Sequence, residues 1–199
     1  FEKNMDTATK IGDIENFNSR RIKAEENGKL RGFSVIHMIE SAGGARPEHA
    51  EICFDTSGDI TVCVGTKSQG QGHETMYKIM VSSMLGIDSN SINVVDGDTD
   101  KVSFGIGTIG SRSALTGGGA IKLAADKIIK KGSKIAAQMM EASEADIEFN
   151  SGIFTVSGTD KSLSIRDIAK AAFNPLNIPE DVEAGLYEQS TYTPKGASF

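Results

Sequence analysis

Tryptophan is absent from this chain of 199 residues, cysteine occurs twice and proline four times. The two cysteines, Cys53 and Cys63, lack CxxC spacing, which excludes a cysteine-built zinc or iron–sulfur site within the chain. No basic tract offsets the formal net charge of −6, so nucleic acid is not the expected partner. No apolar run reaches the length of a membrane-spanning helix, and no secretory leader is visible. The chain starts at Phe1 instead of methionine, which raises the expectation of a piece of a longer, cytoplasmic protein with reduced thiols. What remains is 38% hydrophobic, 24% charged and rich in glycine, with 22 of them. That is the composition of a globular domain whose core hides about 70% of the surface an unfolded chain exposes.

Periodicity predicts an α+β (mixed α/β) fold in which antiparallel hairpins pack with several helices. Residues 1–30 are expected to be a helical lead-in, with a helix over 13–26 closed by Asn27-Gly28. An α/β core follows over 31–174, and a loop-like tail without a closing element over 175–199. In the core, "GFSVIHMIE" from Gly32 reads as a strand and "SAGGARPEHA" as a loop. "EICFDTSGDITVCV" reads as a hairpin in which Ile52 and Phe54 face Val64 and Val62, with Cys53 opposite Cys63. A helix over 73–85 is expected to set Met76, Ile79, Met80 and Met84 on the core and to end at Gly86. "SINVVDGDTD" is a short strand entering an acidic turn. A further helix is expected from about Ala114 to Ala142, with a break near Gly132. A second hairpin turns at Asn150-Ser151-Gly152, and Ser164 with Asp167 forms a capping box.

Two stretches share the layout strand, glycine turn, helix. "KSQGQGHETMYKIM" carries the amides of Gln69 and Gln71, which both donate and accept and suit a heterocycle. "FGIGTIGSRS" carries the hydroxyls of Thr108, Ser111 and Ser113 with the guanidinium of Arg112, a set suited to phosphate oxygens. Glycine lets a ligand approach the main chain, and a helix start offers free N–H groups. Neither stretch is a P-loop or a strict dinucleotide fingerprint. The residues alone leave two readings open, an anionic heterocyclic ligand or ordinary tight turns. The other candidates are weaker. His73 and Glu74 are adjacent and point apart on a helix. His37 and His49 have no clustered partners, and "GDTD" at 97–100 lacks the later ligands of a calcium loop.

Taken together and in this order, "GQGHETMYKIMVSSMLGI", "VVDGDTD" and "FGIGTIGSRS" resemble the molybdenum hydroxylase family of xanthine dehydrogenases, aldehyde oxidases and aerobic carbon monoxide dehydrogenases. The His-Glu-Thr after the glycine turn and "GSRS" are most similar to carbon monoxide dehydrogenase-like large subunits. "ASEADIEFNSGIFTVSGTDKSLSIRDIAKAAF" is similar as well, so the likeness runs from about residue 10 onward. The resemblance implies a fragment of the molybdopterin-binding region of a catalytic large subunit. It implies cofactor contacts at Gln69, Gly70, Gln71, Gly72, Thr108, Ile109, Gly110, Ser111, Arg112 and Ser113, and no direct protein ligand to molybdenum. The implied cofactor is molybdopterin, in its cytosine dinucleotide form, with molybdenum. Iron–sulfur clusters and FAD are implied on partner domains or subunits, together with the remainder of the large subunit and a small-molecule substrate undergoing oxidative hydroxylation. The family's catalytic glutamate lies in a later motif and its substrate-discriminating loop lies upstream; neither is matched here. "ARPEHAEI" and Ser103, where proline is usual, depart from the pattern. The alternatives are a stand-alone phosphate- or nucleotide-binding module and a non-catalytic interaction domain.

Overall fold

The computed structural model describes residues 1–44 and 46–195, and it divides into two units, residues 1–40 and 41–199. The first unit contains helices α1 (Glu2–Ile11) and α2 (Phe17–Glu26), neither of which buries a residue. Helix α2 therefore starts at Phe17 instead of residue 13, after a short 3-10 turn. The strand expected from Gly32 does not form, because this extended segment has no neighbouring strand among the described residues. An isolated strand cannot satisfy its backbone polar groups. Its apolar side chains stay in contact with solvent, with Ile36 87% and Met38 76% exposed.

The second unit holds two sheets. Strands β1 (Glu48–Phe54), β2 (Ile60–Val64) and β3 (Ile92–Asp96) join a strand near the chain's end, β7 (Tyr187–Tyr192), in the order β3-β2-β1-β7. The β1–β2 hairpin is closed by Asp55, whose Oδ1 accepts from the Ser57 N–H at 2.8 Å, the Ser57 hydroxyl and the Asp59 N–H. Its register pairs Ile52 with Val62 and Phe54 with Ile60, so Cys53 faces Thr61 and Glu51 faces Cys63. The sequence reading was thus out by two residues along the ladder. A two-residue shift keeps every side chain on its own face, so the core assignment survives. Both cysteines are free thiols, and burial, then the nearby Glu51 carboxylate, pushes each thiol above its ordinary value.

Strands β2 and β3 run parallel, joined through α3 (His73–Leu85), the crossover that parallel strands require. The buried side of α3 is His73, Tyr77, Val81 and Leu85. Met76, Met80 and Met84 flank it, and Ile79 is 60% exposed, so the core face is rotated from the expected methionine stripe. Aromatic and β-branched residues on adjacent helical ridges took the place assigned to methionine. A π-helical turn (Ser113–Gly117) leads into α4 (Gly118–Met140). Helix α4 passes through Gly132 unbroken, since that glycine gives the Phe154 ring room that a Cβ would occupy.

Strands β4 (Ile147–Asn150), β5 (Ile153–Val156) and β6 (Ser162–Ser164) form the second sheet, followed by α5 (Ile165–Ala171). The Ser164/Asp167 capping box closes its N-terminus in both directions. The tail is not loop-like throughout. β7 pairs antiparallel with β1, from Glu48 opposite Tyr192 to Cys53 opposite Tyr187. "YEQSTY" sets three consecutive polar residues between Tyr187 and Thr191-Tyr192 and carries too little apolar character to announce a strand before its partner is known.

Candidate functional site

Both glycine turns lie at the same end of the four-stranded sheet. The first follows β2, and the second runs from the end of β3 to the π-turn before α4. Asp96, last residue of β3, fixes the first turn: its Oδ2 accepts from the Ser68 N–H at 2.7 Å and its Oδ1 pairs with Lys67 Nζ at 3.0 Å. The Thr108 hydroxyl donates to the Lys67 carbonyl at 2.6 Å, and the Ser113 hydroxyl donates to Thr108 Oγ1 at 3.3 Å. Tyr77, fully buried, spans the two turns. Its hydroxyl lies 2.6 Å from Thr66 Oγ1 and donates to the Ser113 carbonyl at 3.2 Å.

Burial pushes the Tyr77 phenol up to about 12 from its ordinary value near 10. The folded state therefore holds this proton after the unfolded chain has released its own, and stability falls as pH climbs from about 10 to 12. Tyr77→Phe is expected to remove that alkaline phase and to cost about 1–2 kcal/mol at neutral pH, because the buried Ser113 carbonyl loses its donor. Urea unfolding at pH 7 and pH 11 checks both parts; identical pH profiles for the two proteins would refute the assignment.

Between the turns lies an open cleft of about 490 Å³. Seven of the sequence-predicted residues line it: Gln69 and Gln71 from one side, and Thr108, Ile109, Gly110, Ser111 and Ser113 from the other. Gly70 and Gly72 complete the first turn with φ of +100° and +80°, and nothing lies within 4 Å of where a Cβ would stand on either. Their requirement is therefore conformational, and with no side chain and no close neighbour their main chain is left bare. Ser111 adopts φ +50°, an uncommon conformation for a residue with a Cβ.

Arg112 is the exception. The expectation that its guanidinium faces an anion is not met: the residue is 1% exposed and turned inward. Nη1 is ion-paired with Glu48 Oε2 and donates to the Gly107 carbonyl at 2.8 Å. Nη2 donates to the carbonyls of Arg46 at 3.0 Å and Pro47 at 2.7 Å. Glu48 is itself fully buried, and its Oε1 accepts from the N–H groups of His49 and Ile106. Sequence reasoning missed Glu48 by placing it in a loop. The available signal was the alternation in "EHAEICF", where Glu48 falls on the same side as Ala50, Ile52 and Phe54 and Glu51 on the other. The two departures from the family pattern also meet here, with Ser103 Oγ 3.2 Å from His49 Nε2.

His73 was set aside as half of a weak acid–base pair, and the structure separates that pair. Glu74 points to solvent and pairs with Lys78 at 2.6 Å. His73 is 5% exposed, lies beside Tyr77 with the rings tilted and their centroids 5.7 Å apart, and lines the cleft as its one ionisable side chain among the described residues. Its Nδ1 is buried with no partner. The first main-chain bond of α3 runs from the Met76 N–H to the Gly72 carbonyl, so the N–H groups of His73, Glu74 and Thr75 stand at the mouth of the helix without a side-chain cap. Among the described residues no group of three or more His, Cys, Asp or Glu could hold a metal ion.

A mixed α/β fold presenting two bare glycine turns and an uncapped helix start across one cleft defines a cofactor-binding domain. The chain belongs to the molybdopterin cofactor-binding domain family, whose pattern matches residues 7–199. The relatives to which this chain is similar include the large subunits of a dehydrogenase and a hydroxylase. The carbon monoxide dehydrogenase large chain of Afipia carboxidovorans is 39% identical over 89% of this chain, and the nicotine 6-hydroxylase large subunit of Paenarthrobacter nicotinovorans is 34% identical over 94%. The chain spans about a quarter of those relatives, 23% and 24% of their lengths. Among solved structures, reconstituted CO dehydrogenase from Oligotropha carboxidovorans superposes with a TM-score of 0.75 at 33% identity, covering 99% of this chain and 26% of that one. Quinoline 2-oxidoreductase from Pseudomonas putida 86 does so with 0.71 at 28% identity, covering 95% and 26%.

Proposed function

We propose that the cleft between the two glycine turns holds the pterin and its anionic extension, within a longer large subunit that oxidatively hydroxylates or dehydrogenates a small substrate. The observation that carries this reading is the unpartnered, buried Nδ1 of His73 at an uncapped helix start between the two motifs. A buried polar atom without a partner is costly, and a polar ligand in the cleft relieves it. The residues present fit such a group. Gln69 and Gln71 offer amides to the heterocycle, while Gly70 and Gly72 let it approach the main chain. Thr108, Ile109, Gly110, Ser111, the main chain of Arg112 and Ser113 form the opposite wall. Free N–H groups at the start of α3 favour negative charge there, so the acidic net charge of the chain is no obstacle.

When bound, the molybdenum cofactor supplies the two-electron redox chemistry, and the chain's part is binding and orientation. We take the nucleotide form to be the cytosine dinucleotide. Iron–sulfur clusters, FAD, the substrate pocket and the general base belong to other domains or subunits of a cytoplasmic complex, and residues 1–199 are a truncated piece of that subunit.

The test is molybdenum content by mass spectrometry, with identification of the released pterin nucleotide, on the full-length large subunit purified with its partners. Stoichiometric molybdenum and a cytosine dinucleotide are expected. Gln71→Ala, which removes hydrogen bonds worth about 1–1.5 kcal/mol, is expected to weaken cofactor retention about tenfold. Neither metal nor pterin in a folded, matured complex would overturn the reading in favour of another ligand or plain turns.

A further inference from the structure

We infer that Glu48 and Arg112 are positioning residues for the cofactor loop: a buried ion pair that shapes residues 106–113 from behind and touches no ligand. The inference rests on the proposed cofactor site and assigns the one predicted site side chain that does not reach it.

Three observations carry it. Both side chains are sealed from solvent, at 0% and 1% exposure, so neither serves a ligand in the cleft directly. Their bonds are also unusual in where they go. Apart from the ion pair and the His49 N–H, every recorded partner is main chain of the loop or of the residues just before β1: Gly107 carbonyl and Ile106 N–H on one side, Arg46 and Pro47 carbonyls on the other. A single guanidinium thus gathers three carbonyls and a carboxylate that no shorter or singly pointed side chain could hold together. Finally, the loop needs such a fixture. It carries Gly107 and Gly110 at positive φ with nothing packed against either, a left-handed Ser111, and Ile109 62% exposed. A segment with so little packing of its own opens locally at small cost unless something external holds it. The close crossing of Gly105 over Gly65 marks where this segment is pressed onto the end of β2, and Glu48 Oε1 sits in the same junction.

A buried ion pair is a poor way to gain stability, since two charges must be stripped of water, and well-packed apolar replacements of both partners often leave stability intact. Its value here is geometric. Removing both charges together leaves no unpaired ion, so the remaining cost is that of the carbonyls Arg112 held, and the loop should loosen while the core keeps its protection, which separates positioning from general support.

The experiment compares wild type with the neutral pair Glu48→Gln/Arg112→Gln in the full-length large subunit. Hydrogen exchange of the cofactor-free subunit is expected to show amides of residues 106–113 exchanging roughly tenfold faster, with β1, β2 and α4 unchanged. Cofactor release from the loaded subunit is expected to accelerate by a similar factor, with the unfolding midpoint lowered less than by Glu48→Gln alone. Arg112→Lys, which keeps the charge but loses the fork, is expected to resemble the neutral pair in the loop while leaving the core intact. Unchanged exchange in 106–113 would overturn the assignment, as would a uniform loss of protection across the core. Because the exchange arm needs no cofactor, failure of the cofactor reading, seen as wild type without molybdenum, is distinguishable from failure of the clamp.

Discussion

Glu48→Gln alone is expected to destabilise the second unit by about 3–5 kcal/mol, the effect of leaving one charge of a buried pair without its partner. The substitution keeps the shape and keeps an oxygen for the His49 and Ile106 N–H groups. What it removes is the negative charge against a guanidinium that is 1% exposed. Water cannot reach Arg112 to compensate, and arginine does not shed its proton. Relief requires the loop to open and let the guanidinium out. A urea titration should show a clearly lowered midpoint, because a domain commonly has only about 5–15 kcal/mol to lose. A loss under about 1 kcal/mol would mean that the carboxylate contributes no more than an exposed pair does.

The second large effect lies far from the cleft, at the end of α3. Gly86 closes that helix with φ +64°, and a Cβ added there would land on the main chain of Ser151 and Gly152, the turn between β4 and β5. Gly152 is equally confined, with φ +84° and the carbonyls of Gly86 and Leu85 against its own missing side chain. Two glycine turns thus touch backbone to backbone, and this junction joins the helix of one sheet to the hairpin of the other. Gly86→Ala meets left-handed strain of about 1–2 kcal/mol and an overpacking penalty of about 1–3 kcal/mol. A total loss of about 2–5 kcal/mol is expected, read as a lower denaturation midpoint. Gly70→Ala, with the same sign of φ and open space around it, should lose only the strain component. Equal losses at the two positions would show that the contact with the hairpin turn contributes nothing.

The difference between those glycines also describes what the sequence could disclose. Both turns with their glycines were legible, because left-handed conformations leave a residue-type signature at the site where they occur. Helix α3, the capping box at Ser164 and the hairpin at 150–152 were legible for the same reason, each being specified by neighbours in sequence. Arg112 was read as offering its guanidinium to phosphate oxygens and instead lies buried, since its carboxylate lies 64 positions earlier in the chain and only folding brings the two together. The strand expected from Gly32 and the unforeseen strand at 187–192 fail in opposite directions for one cause. Strand formation depends on an available edge: the apolar segment has none among the described residues, and the polar one finds β1. The rotation of α3 shows a further limit, because methionine, tyrosine and valine compete for one face and packing decides among them.

The pairing of β7 with β1 has a consequence for biosynthesis. β1 occupies an inner position only once residues 187–192 are in place; until then one of its edges exposes unpaired N–H and C=O groups. During translation, β1, β2 and β3 emerge well before the segment that completes their sheet. Nascent chains in that condition are open to wrong strand partners, and the hazard lasts as long as the ribosome takes to deliver the remainder. β7 then takes over as the edge of the sheet, a short strand with Glu188, Gln189 and Ser190 at its centre where an apolar run would invite further pairing.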